Sequence, residues 1–412
     1  RGPQEMQPSV TSEIGRLRQV IIHRPGREML RLTPSNMEHL LFDDMLWLEH
    51  AQAEHDDFAN SLRTQGTEVL YFQELLAEAM DIPAARQHVL TSVFTEESHG
   101  VAIAEAMRAY GESLTGAQLA ELMVAGLTKE EFAELNLGPI SSVIYDAMGP
   151  TSFIVAPLPN HLFTRDTSCW VYDGVAINSM RKEARRRETI NYEAIYNYLP
   201  RFQDPSIKKW CNGNEAGPAT VEGGDVLVIG NGAVLVGMSE RTTPAGVERM
   251  ARRLFGNSEV KQVIALDMAK ERAQMHLDTV MTQADFGVFT KYAGMGMVES
   301  MTLTSDGEGG IKVAAHDPQD MHKVIAHALG LDDIKVLTPP MDALAAEREQ
   351  WNDGSNVLAG APGVVYAYER NIITNDFLTE NGITVITVPG DELGRGRGGP
   401  RCMSCPVVRE AV

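Results

Sequence analysis

The stretch DVLVIGNGAVLV, residues 225–236, contains the plan of a whole structural unit. An acidic residue opens a short apolar segment, a glycine turn follows, and a second apolar segment leads towards Arg241. Apolar segments joined by such a turn are typical of a β-hairpin. Beyond it, Thr243 and Pro244 stand where the N-cap and first residue of a helix belong, and residues 263–266 offer a further strand. The sequence therefore predicts a unit of hairpin, helix and strand.

The same arrangement recurs along the chain. Asp166, Asp278 and Asn356 each open a comparable pair of apolar segments, and residues 17–23 offer a strand to a fifth unit. Radial repetition of such units would point their polar openings at a shared centre. Residues that are far apart in the sequence would then form one pocket.

One segment interrupts the repeated pattern. Strand signals disappear after Leu75, and Thr115 with Gln118 and Thr128 with Glu131 resemble capping boxes. We therefore expect an inserted helical subdomain whose apolar faces form a local core or a subunit contact, which makes a homo-oligomer an expectation. The predicted division is a catalytic domain of residues 1–74 and 148–412 and an all-helical insertion of residues 75–147.

Composition excludes several classes of protein. The chain of 412 residues is 43% hydrophobic, which is enough for a sizeable core. Its 56 acidic and 36 basic residues give a formal charge of -20, and the basic residues are dispersed rather than clustered. A protein that binds the phosphate backbone of a nucleic acid would have the opposite balance.

Cysteine usage and hydropathy bear on the compartment. Four cysteines do not make a disulfide framework and fit a reducing environment. No apolar run approaches the ~18 residues of a membrane span, so we expect no membrane partner and a cytoplasmic location. The first residues, Arg1-Gly2-Pro3-Gln4, lack an initiator Met and an apolar signal core, so we expect the natural start to be lost or replaced.

The end of the chain offers a candidate nucleophile. The glycine-rich segment GRGRGG, residues 394–399, runs into PRCMSCP, residues 400–406. A cysteine beside cations favours a thiolate, and glycines permit close approach, so Cys402 is the candidate. Cys402 can also be a buried apolar filler, or form a C-x-x-C redox couple or half a zinc site with Cys405. Cys169 and Cys211 do not form a second such pair, which argues against a four-cysteine metal site.

Further polar residues stand at the openings of other units. His276 and Asp278 are two residues apart, and in an extended strand they would project to the same side. A thiol, a histidine and carboxylates together favour general acid-base chemistry. Asp166, Glu222 and Asp278 suit a divalent metal, a cationic substrate or ordinary turn chemistry. Because a carboxylate pair is a natural receptor for the guanidinium fork, a guanidine substrate is one prediction.

Four blocks together resemble the signature of bacterial arginine deiminases, in the same order and at compatible separations. The blocks are FTRDT at 163–167, EGGD at 222–225, HLD at 276–278 and RGGPRCMS at 397–404. The resemblance spans nearly the whole chain, including the helical insertion. It implies an α/β fold of five pseudo-repeated units, a pentein-like propeller, around a central pocket. It also implies hydrolysis of L-arginine to L-citrulline and ammonia without a metal or organic cofactor.

The resemblance assigns roles residue by residue. Cys402 matches the nucleophile, His276 the general acid and base, and Glu222 its electrostatic partner. Asp166 and Asp278 match the residues that hold the guanidinium nitrogens. The other positions that resemble the family's substrate pocket, with the cationic ones suited to the α-carboxylate, are Asn160, Phe163, Arg165, Arg185, Arg241, Gly396 and Arg397.

These roles imply attack of the Cys402 thiolate on the guanidinium carbon, loss of ammonia and hydrolysis of an amidino-cysteine. The glycine-rich segment would serve as a flexible lid or as an exposed terminal loop. Some relatives have Gly-His where this chain has Pro400 and Arg401. The alternatives are a hydrolase or amidinotransferase for agmatine or a methylated arginine, a non-catalytic arginine-binding protein, and a C-x-x-C redox protein. Redox function predicts that Cys402 and Cys405 are equally essential.

Overall fold

The computed structural model describes residues 6–412, so the expectation about the first four residues lies outside it. In chain order the strands are Leu17–Ile22 (β1), Glu68–Tyr71 (β2), Leu127–Thr128 (β3), Phe153–Val155 (β4), Ser168–Val171 (β5), Gly174–Ile177 (β6), Lys208–Asn212 (β7), Val226–Gly230 (β8), Ala233–Met238 (β9), Gln262–Asp267 (β10), Met281–Asp285 (β11), Val288–Lys291 (β12), Ser300–Ser305 (β13), Ile311–His316 (β14), Lys335–Leu337 (β15), Leu358–Ala361 (β16), Val364–Tyr368 (β17), Thr384–Val388 (β18) and Cys405–Arg409 (β19).

The helices lie between these strands. In chain order they are Leu48–Thr64 (α1), Phe72–Met80 (α2), Pro83–Val93 (α3), Glu96–Ser113 (α4), Gly116–Ala125 (α5), Lys129–Glu134 (α6), Val143–Ala147 (α7), Thr164–Thr167 (α8), Glu183–Arg186 (α9), Glu188–Tyr198 (α10), Pro244–Leu254 (α11), Met321–Ala328 (α12), Ala343–Trp351 (α13) and Ile372–Glu380 (α14). Within residues 6–412, no helix is both long enough and apolar enough to cross a membrane.

Five sheets share one plan, an antiparallel pair followed by a parallel third strand. Their strand orders are β19-β1-β2, β5-β6-β7, β8-β9-β10, β11-β12-β15 and β16-β17-β18. The third sheet is extended by the β13-β14 hairpin. The predicted hairpins and the strand at residues 17–23 are therefore confirmed, and the fold is mixed α/β.

A parallel neighbour requires a crossover connection, and a helix lies in each of the five crossovers. These helices are α1, α10, α11, α12 and α14. For α11 the prediction was complete, because Thr243 is the N-cap, its hydroxyl accepts a hydrogen bond from Gly246 N at 3.1 Å, and Pro244 is the first residue. Its apolar face, which includes Met250 and Leu254, is buried against the core.

Helices α3 to α7 lie within the segment predicted to be helical, α2 begins before it at Phe72, and both predicted capping boxes are present. The segment differs from the prediction in two respects. A two-residue strand, β3, pairs with β4, so residues 75–147 are not all helical. The segment also lacks a separate core, because Leu119 and Met123 share one apolar cluster with Trp170 and Tyr192 of the neighbouring unit. The proposed domain division stays a prediction.

Three of the polar openings are helical turns and not extended strands, whereas Asn356 lies in an irregular segment before β16. Asp166 lies in α8, while Gly223–Asp225 and Leu277–Thr279 are 3-10 turns. The prediction that His276 and Asp278 share a strand face is therefore wrong. Both side chains nevertheless contact other candidate site residues, since His276 Nδ1 lies 3.7 Å from Asp166 Oδ1 and Asp278 Oδ2 lies 3.5 Å from Cys402 Sγ.

Candidate active site

Cys402 is buried in a cage of polar side chains. Its backbone N–H donates to Asn356 Oδ1 at 3.0 Å, and Asn356 Nδ2 lies 3.1 Å from Cys402 Sγ. The same sulfur lies 3.5 Å from Asp278 Oδ2. Two-point contact with Asn356 fixes both the backbone and the sulfur of the candidate nucleophile.

The surroundings of Cys402 hold it in the thiol form. Burial raises the pKa of Cys402 well above its usual range, and the charges of Asp278, Asp166 and Asp353 act in the same direction. The Arg401 cation opposes them and is outweighed. A neighbouring cation is thus not sufficient to form the thiolate, contrary to the simple expectation from the sequence. A cation placed against the carboxylates would lower the pKa.

Asp278 is held from behind by an arginine. Arg401 Nη1 donates to Asp278 Oδ2 at 2.9 Å, and Arg401 Nε donates to Glu13 Oε1 at 3.0 Å. The third guanidinium nitrogen donates to Val226 O at 2.7 Å. Glu13 also accepts from Val228 N at 2.9 Å. A buried chain of carboxylate, guanidinium and carboxylate therefore fixes Asp278 beside the sulfur.

Asp166, which belongs to a different unit from Asp278, is held by an arginine of its own unit in the same way. Arg185 Nη1 donates to Asp166 Oδ2 at 2.7 Å, and Arg185 Nε donates to Glu188 Oε2 at 2.8 Å. The remaining nitrogen donates to the carbonyls of Asn160 and Phe163 at 3.0 and 3.1 Å. Every guanidinium nitrogen of Arg185 is therefore bonded within the protein.

His276 lies between two carboxylates. Its Nε2 is 2.8 Å from Glu222 Oε1, and its Nδ1 is 3.7 Å from Asp166 Oδ1. Gly224 permits this approach, because a Cβ there would lie 2.8 Å from both the Asp166 carboxylate and the imidazole. Glu222 is in turn bonded to Arg241 Nη1 at 3.1 Å.

Electrostatics make His276 an imidazolium at neutral pH. Burial lowers the pKa of His276, but Asp166 and Glu222 outweigh burial and raise the pKa to about 9. Burial also acts to raise the pKa of Glu222, but Arg241 and His276 reverse that effect and lower it. The site therefore holds a proton donor close to Asp166.

The predicted substrate residues Phe163, Gly396 and Arg165 hold the end of the chain in place. A Cβ on Gly396 would lie 2.8 Å from the rings of both Phe163 and Phe42. Arg165 Nε donates to Ser404 O at 2.7 Å, and its backbone N–H donates to Cys402 O at 3.2 Å. Residues 396–407 are buried, whereas Arg395 is exposed, so only the start of the glycine-rich segment lies at the surface in this structure.

Of the four arginines expected to suit the α-carboxylate, Arg165 binds the end of the chain, and the other three differ from one another. Arg185 and Arg241 bind protein carboxylates. Arg397 is 4% exposed and stacks on Trp351, with its guanidinium carbon 3.3 Å from the ring centroid. None of its three guanidinium nitrogens has a hydrogen-bond partner in the described chain. The predicted substrate contacts, including Asn160, whose Nδ2 donates to Leu40 O at 2.7 Å, stay predictions.

The sequence did not identify three residues that support the site, Asn356, Glu13 and Glu188, as site residues. Asn356 was visible as the opening of a unit, at the place equivalent to Asp166 and Asp278, and that equivalence was the signal for a site role. Glu13 and Glu188 had no such signal, because they are connected to the site through Arg401 and Arg185, and these contacts form only in the folded protein.

The C-x-x-C pair divides between two environments. Cys402 packs with one apolar cluster and Cys405 with another, and Cys405 Sγ lies 3.3 Å from Ser168 O. Both are free thiols. No group of three or more His, Cys, Asp or Glu side chains in residues 6–412 has an arrangement that could hold a metal ion.

Several solved structures are similar to this chain in fold. They include SxtG, an amidinotransferase of saxitoxin biosynthesis from Microseira wollei, at 14% identity and TM-score 0.58, covering 99% of this chain and 98% of that one. Inosamine-phosphate amidinotransferase StrB1 from Streptomyces griseus has 13% identity, the same coverages and TM-score 0.55. DDAH from Pseudomonas aeruginosa, complexed with citrulline, has 15% identity and TM-score 0.51 over 95% of this chain and 99% of that one.

These structures share the fold of the pentein superfamily, the guanidino-group-modifying enzymes. The arginine deiminase family model matches residues 38–409 of this chain. The chain belongs to the arginine deiminase family, as its four sequence blocks indicated.

Proposed function

We propose that the protein hydrolyses L-arginine to L-citrulline and ammonia through a covalent amidino-cysteine. The observation that carries this proposal is the position of Cys402 Sγ, 3.5 Å from Asp278, in a buried site that also holds Asp166 and the His276 imidazolium. A thiol, two fixed carboxylates and a proton donor are the groups required to bind a guanidinium and displace one of its nitrogens.

Substrate binding activates the nucleophile. The guanidinium lies against Asp166 and Asp278, whose negative charges raise the pKa of Cys402 together with burial. Because the bound cation offsets those charges, the pKa of the thiol falls and its proton is released to solvent. The same carboxylates orient a resonance-stabilised carbon that is a poor electrophile.

Two displacements at carbon complete the reaction. The Cys402 thiolate forms a bond to the guanidinium carbon, and His276 gives its proton to the departing nitrogen, which leaves as ammonia. Neutral His276 then takes a proton from water as the water oxygen bonds to the amidino carbon. Collapse breaks the carbon–sulfur bond and the remaining hydroxyl proton passes to solvent, which releases citrulline and returns the thiolate.

The finer architecture belongs to the same proposal. We infer that the five units close around a pseudo-fivefold axis and that their polar turns surround the substrate. Support comes from the common strand order of the five sheets and from the contacts among turns of different units, such as Asp166 with His276 and Asp278 with Cys402. Cytoplasmic location and homo-oligomerisation stay predictions.

A product assay tests the proposed reaction. Purified protein is incubated with L-arginine in excess chelator, and citrulline, ornithine and ammonia are quantified, with agmatine and Cys402→Ala in parallel. We expect equal amounts of citrulline and ammonia from L-arginine, and none from the variant. Ornithine formed only when glycine is added would indicate amidino transfer instead. Conversion of agmatine but not arginine would assign the runner-up substrate.

A further inference from the structure

Asp225 is a buried carboxylate that the reaction above does not use. It opens its unit as Asp166 and Asp278 open theirs, and its side chain is fully buried. Burial raises the pKa of Asp225 to about 7, and the charge of His276 opposes that effect. Arginines hold Asp166 and Asp278, whereas hydroxyl and backbone donors hold Asp225. Because a buried carboxylate is costly unless it is well hydrogen-bonded, these donors show what Asp225 holds in place.

One oxygen of Asp225 holds the turn that follows His276. Asp225 Oδ1 accepts from Leu277 N at 2.8 Å, and Leu277 begins the 3-10 turn Leu277–Thr279. Gly237 of β9 permits this contact, because a Cβ there would lie 2.8 Å from Asp225 Oδ1 and 2.9 Å from Leu277 Cβ. The backbone next to the imidazole is therefore tied directly to the Asp225 carboxylate.

The other oxygen of Asp225 orients two hydroxyls. Asp225 Oδ2 accepts from Ser239 Oγ at 2.7 Å and from Thr242 Oγ1 at 2.6 Å. A hydroxyl has one proton, so donation to the carboxylate leaves its lone pairs for other donors. Ser239 Oγ accepts from Arg241 N at 2.9 Å, and Thr242 Oγ1 accepts from Glu222 N at 3.0 Å. Through these hydroxyls Asp225 fixes the backbone of both Glu222 and Arg241.

These contacts meet at the proton donor. Glu222 Oε1 lies 2.8 Å from His276 Nε2, and Asp225 supports both partners, through Thr242 at Glu222 and through Leu277 beside His276. We propose that Asp225 is a positioning residue that ties the His276 turn to Glu222 and keeps the imidazole aligned for proton transfer. This inference rests on the proposed function and gives the last residue of the EGGD block a part in its proton-transfer steps. Since a misplacement of about 1 Å can cost about a hundredfold in rate, loss of this support should lower kcat.

The charge of Asp225 has a second effect, on the protonation of His276. Burial lowers the pKa of His276, and Asp166, Glu222 and Asp225 together raise it to about 9. Because the pKa of Asp225 is about 7, Asp225 is ionised over the range in which His276 gives up its proton. The charged groups around the imidazole are these three carboxylates and the arginines that bind Asp166 and Glu222, namely Arg185 and Arg241. Removal of the Asp225 charge therefore makes the imidazolium a stronger acid.

Histidine NMR tests the electrostatic effect without depending on turnover. The protein is isotope-labelled at histidine, and the His276 resonance is identified by its absence in His276→Gln. In Asp225→Asn the side chain loses its charge, and its amide cannot accept from Leu277 N and from both hydroxyls. The midpoint of the His276 titration should fall by about one pH unit or more. Glu54→Gln is the matched control and should leave the midpoint unchanged, because Glu54 is also buried and accepts from the backbone N–H groups of residues 391–393.

Thr242 separates the effect of position from that of charge. Thr242→Val keeps the Asp225 carboxylate but removes the hydroxyl that accepts from Glu222 N. In the citrulline assay, kcat should fall about tenfold in this variant and about a hundredfold in Asp225→Asn. Thr242→Ser retains the hydroxyl, so its kcat should stay within about twofold of the parent value. The high-pH limb of kcat, where His276 loses its proton, should move to lower pH in Asp225→Asn and by less in Thr242→Val.

The outcomes separate this inference from the proposed function. An unchanged His276 midpoint in Asp225→Asn, or an equal fall in Glu54→Gln, would overturn the role of Asp225. A Thr242→Ser protein as slow as Thr242→Val would overturn it as well. If Asp225→Asn does not fold, the Thr242 variants decide the question, and full activity in Thr242→Val would contradict the proposal. If the midpoint falls in Asp225→Asn but the parent protein makes no citrulline, the proposed function fails and the support of His276 by Asp225 stands.

Discussion

The candidate site has two ends, one at Asp166 beside His276 and one at Asp278 beside Cys402. Each end contains an ionic chain of carboxylate, arginine and carboxylate, but the two ionic chains are assembled differently. Asp166, Arg185 and Glu188 come from one short stretch of sequence. Asp278, Arg401 and Glu13 come from three distant segments, and Arg401 and Glu13 are 388 residues apart. The first ionic chain therefore depends on one unit, whereas the second ionic chain joins several units of the fold.

The two chains also differ electrostatically. Burial acts to raise the pKa of Glu13, but Arg401, Arg165 and Arg409 reverse the effect and lower it. Burial raises the pKa of Glu188 despite Arg185. The difference teaches that the ionic chain behind the nucleophile, which contains Glu13, depends on a permanently charged carboxylate. In the ionic chain beside His276, Glu188 can accept a proton at a lower free-energy cost.

Removal of the two arginines should produce the largest and most unequal effects. Arg401→Met leaves two buried carboxylates without their cation, and we expect the free energy of unfolding to fall by about 3–5 kcal/mol. Arg185→Met should cost less, because Glu188 takes up a proton more readily than Glu13. Urea denaturation at neutral pH measures both.

The exposed pair of Arg24 and Asp56 provides the control for these arginine variants. Arg24→Met should lower the free energy of unfolding by less than about 1 kcal/mol, because water screens an exposed ion pair. A loss in Arg185→Met as large as that in Arg401→Met would remove the proposed difference between the chains.

The pH dependence of stability examines the His276 end alone. Because the folded-state pKa of His276 is raised from 6.5 to about 9, its stabilisation is complete below pH 6.5 and is lost as pH rises through about 9. His276→Gln should therefore be less stable than the parent by about 3 kcal/mol at low pH, with the difference shrinking towards pH 9.

His55 is the matched control for this titration. It is fully buried, and burial lowers its pKa to about 3, so it stays neutral above pH 7. The stability difference between the parent and His55→Gln should therefore be constant from pH 7 to 9. A constant difference for His276→Gln as well would show that its charged form is not what stabilises the site.

A smaller effect, on activity, is expected at the contact between Gly398 and Phe163, where the two ends of the site meet. A Cβ on Gly398 would lie 2.6 Å from Cδ1 of the Phe163 ring, which joins the Asp166 end to the Cys402 segment. We expect Gly398→Ala to lower kcat/KM by a factor corresponding to about 1–3 kcal/mol, since the segment must shift. Addition of Phe163→Leu should restore part of the activity.

Gly394 tests whether the loss of activity expected in Gly398→Ala results from steric crowding of the added Cβ. A Cβ there would lie 3.7 Å from Tyr368, an ordinary contact, so Gly394→Ala should keep kcat/KM within about twofold. Equal losses in both glycine variants would instead indicate a general requirement for backbone flexibility.

The smallest effect should follow substitution of Cys405. Its sulfur lies near Ser168 in a separate apolar cluster, so Cys405→Ser should retain activity within about threefold and cost less than about 1.5 kcal/mol of stability. Cys402→Ser, measured in the same citrulline assay, should be inactive. An equal loss of activity in both variants would favour the redox alternative and would show that the two cysteines do not have different roles.

Local patterns predicted the repeated units well. The hairpin at residues 225–236 and the helix that starts at Pro244 are set by turn and capping residues that are adjacent in sequence. The position of His276 and Asp278 on a strand was wrong, because Asp278 lies in the short helical turn Leu277–Thr279, which a pattern of alternating residues cannot reveal.

The support of the site was harder to predict than its chemistry. Motifs identified Cys402, and the equivalence of the unit openings marked Asn356. The partners of Arg185 and Arg401 depend on where side chains meet after folding. Glu13 illustrates this, because it lies in the first described segment and contacts a residue near the other end of the chain.

The most direct test of the account is to find where the substrate carbon becomes attached. The protein is mixed with L-arginine labelled at the guanidino carbon, quenched with acid during turnover and digested, and the labelled peptide is sequenced. We predict label on Cys402, with none in Cys402→Ala and an unchanged amount in Cys405→Ser. Steady production of citrulline with no label on Cys402 at any quench time would contradict a covalent mechanism at this cysteine.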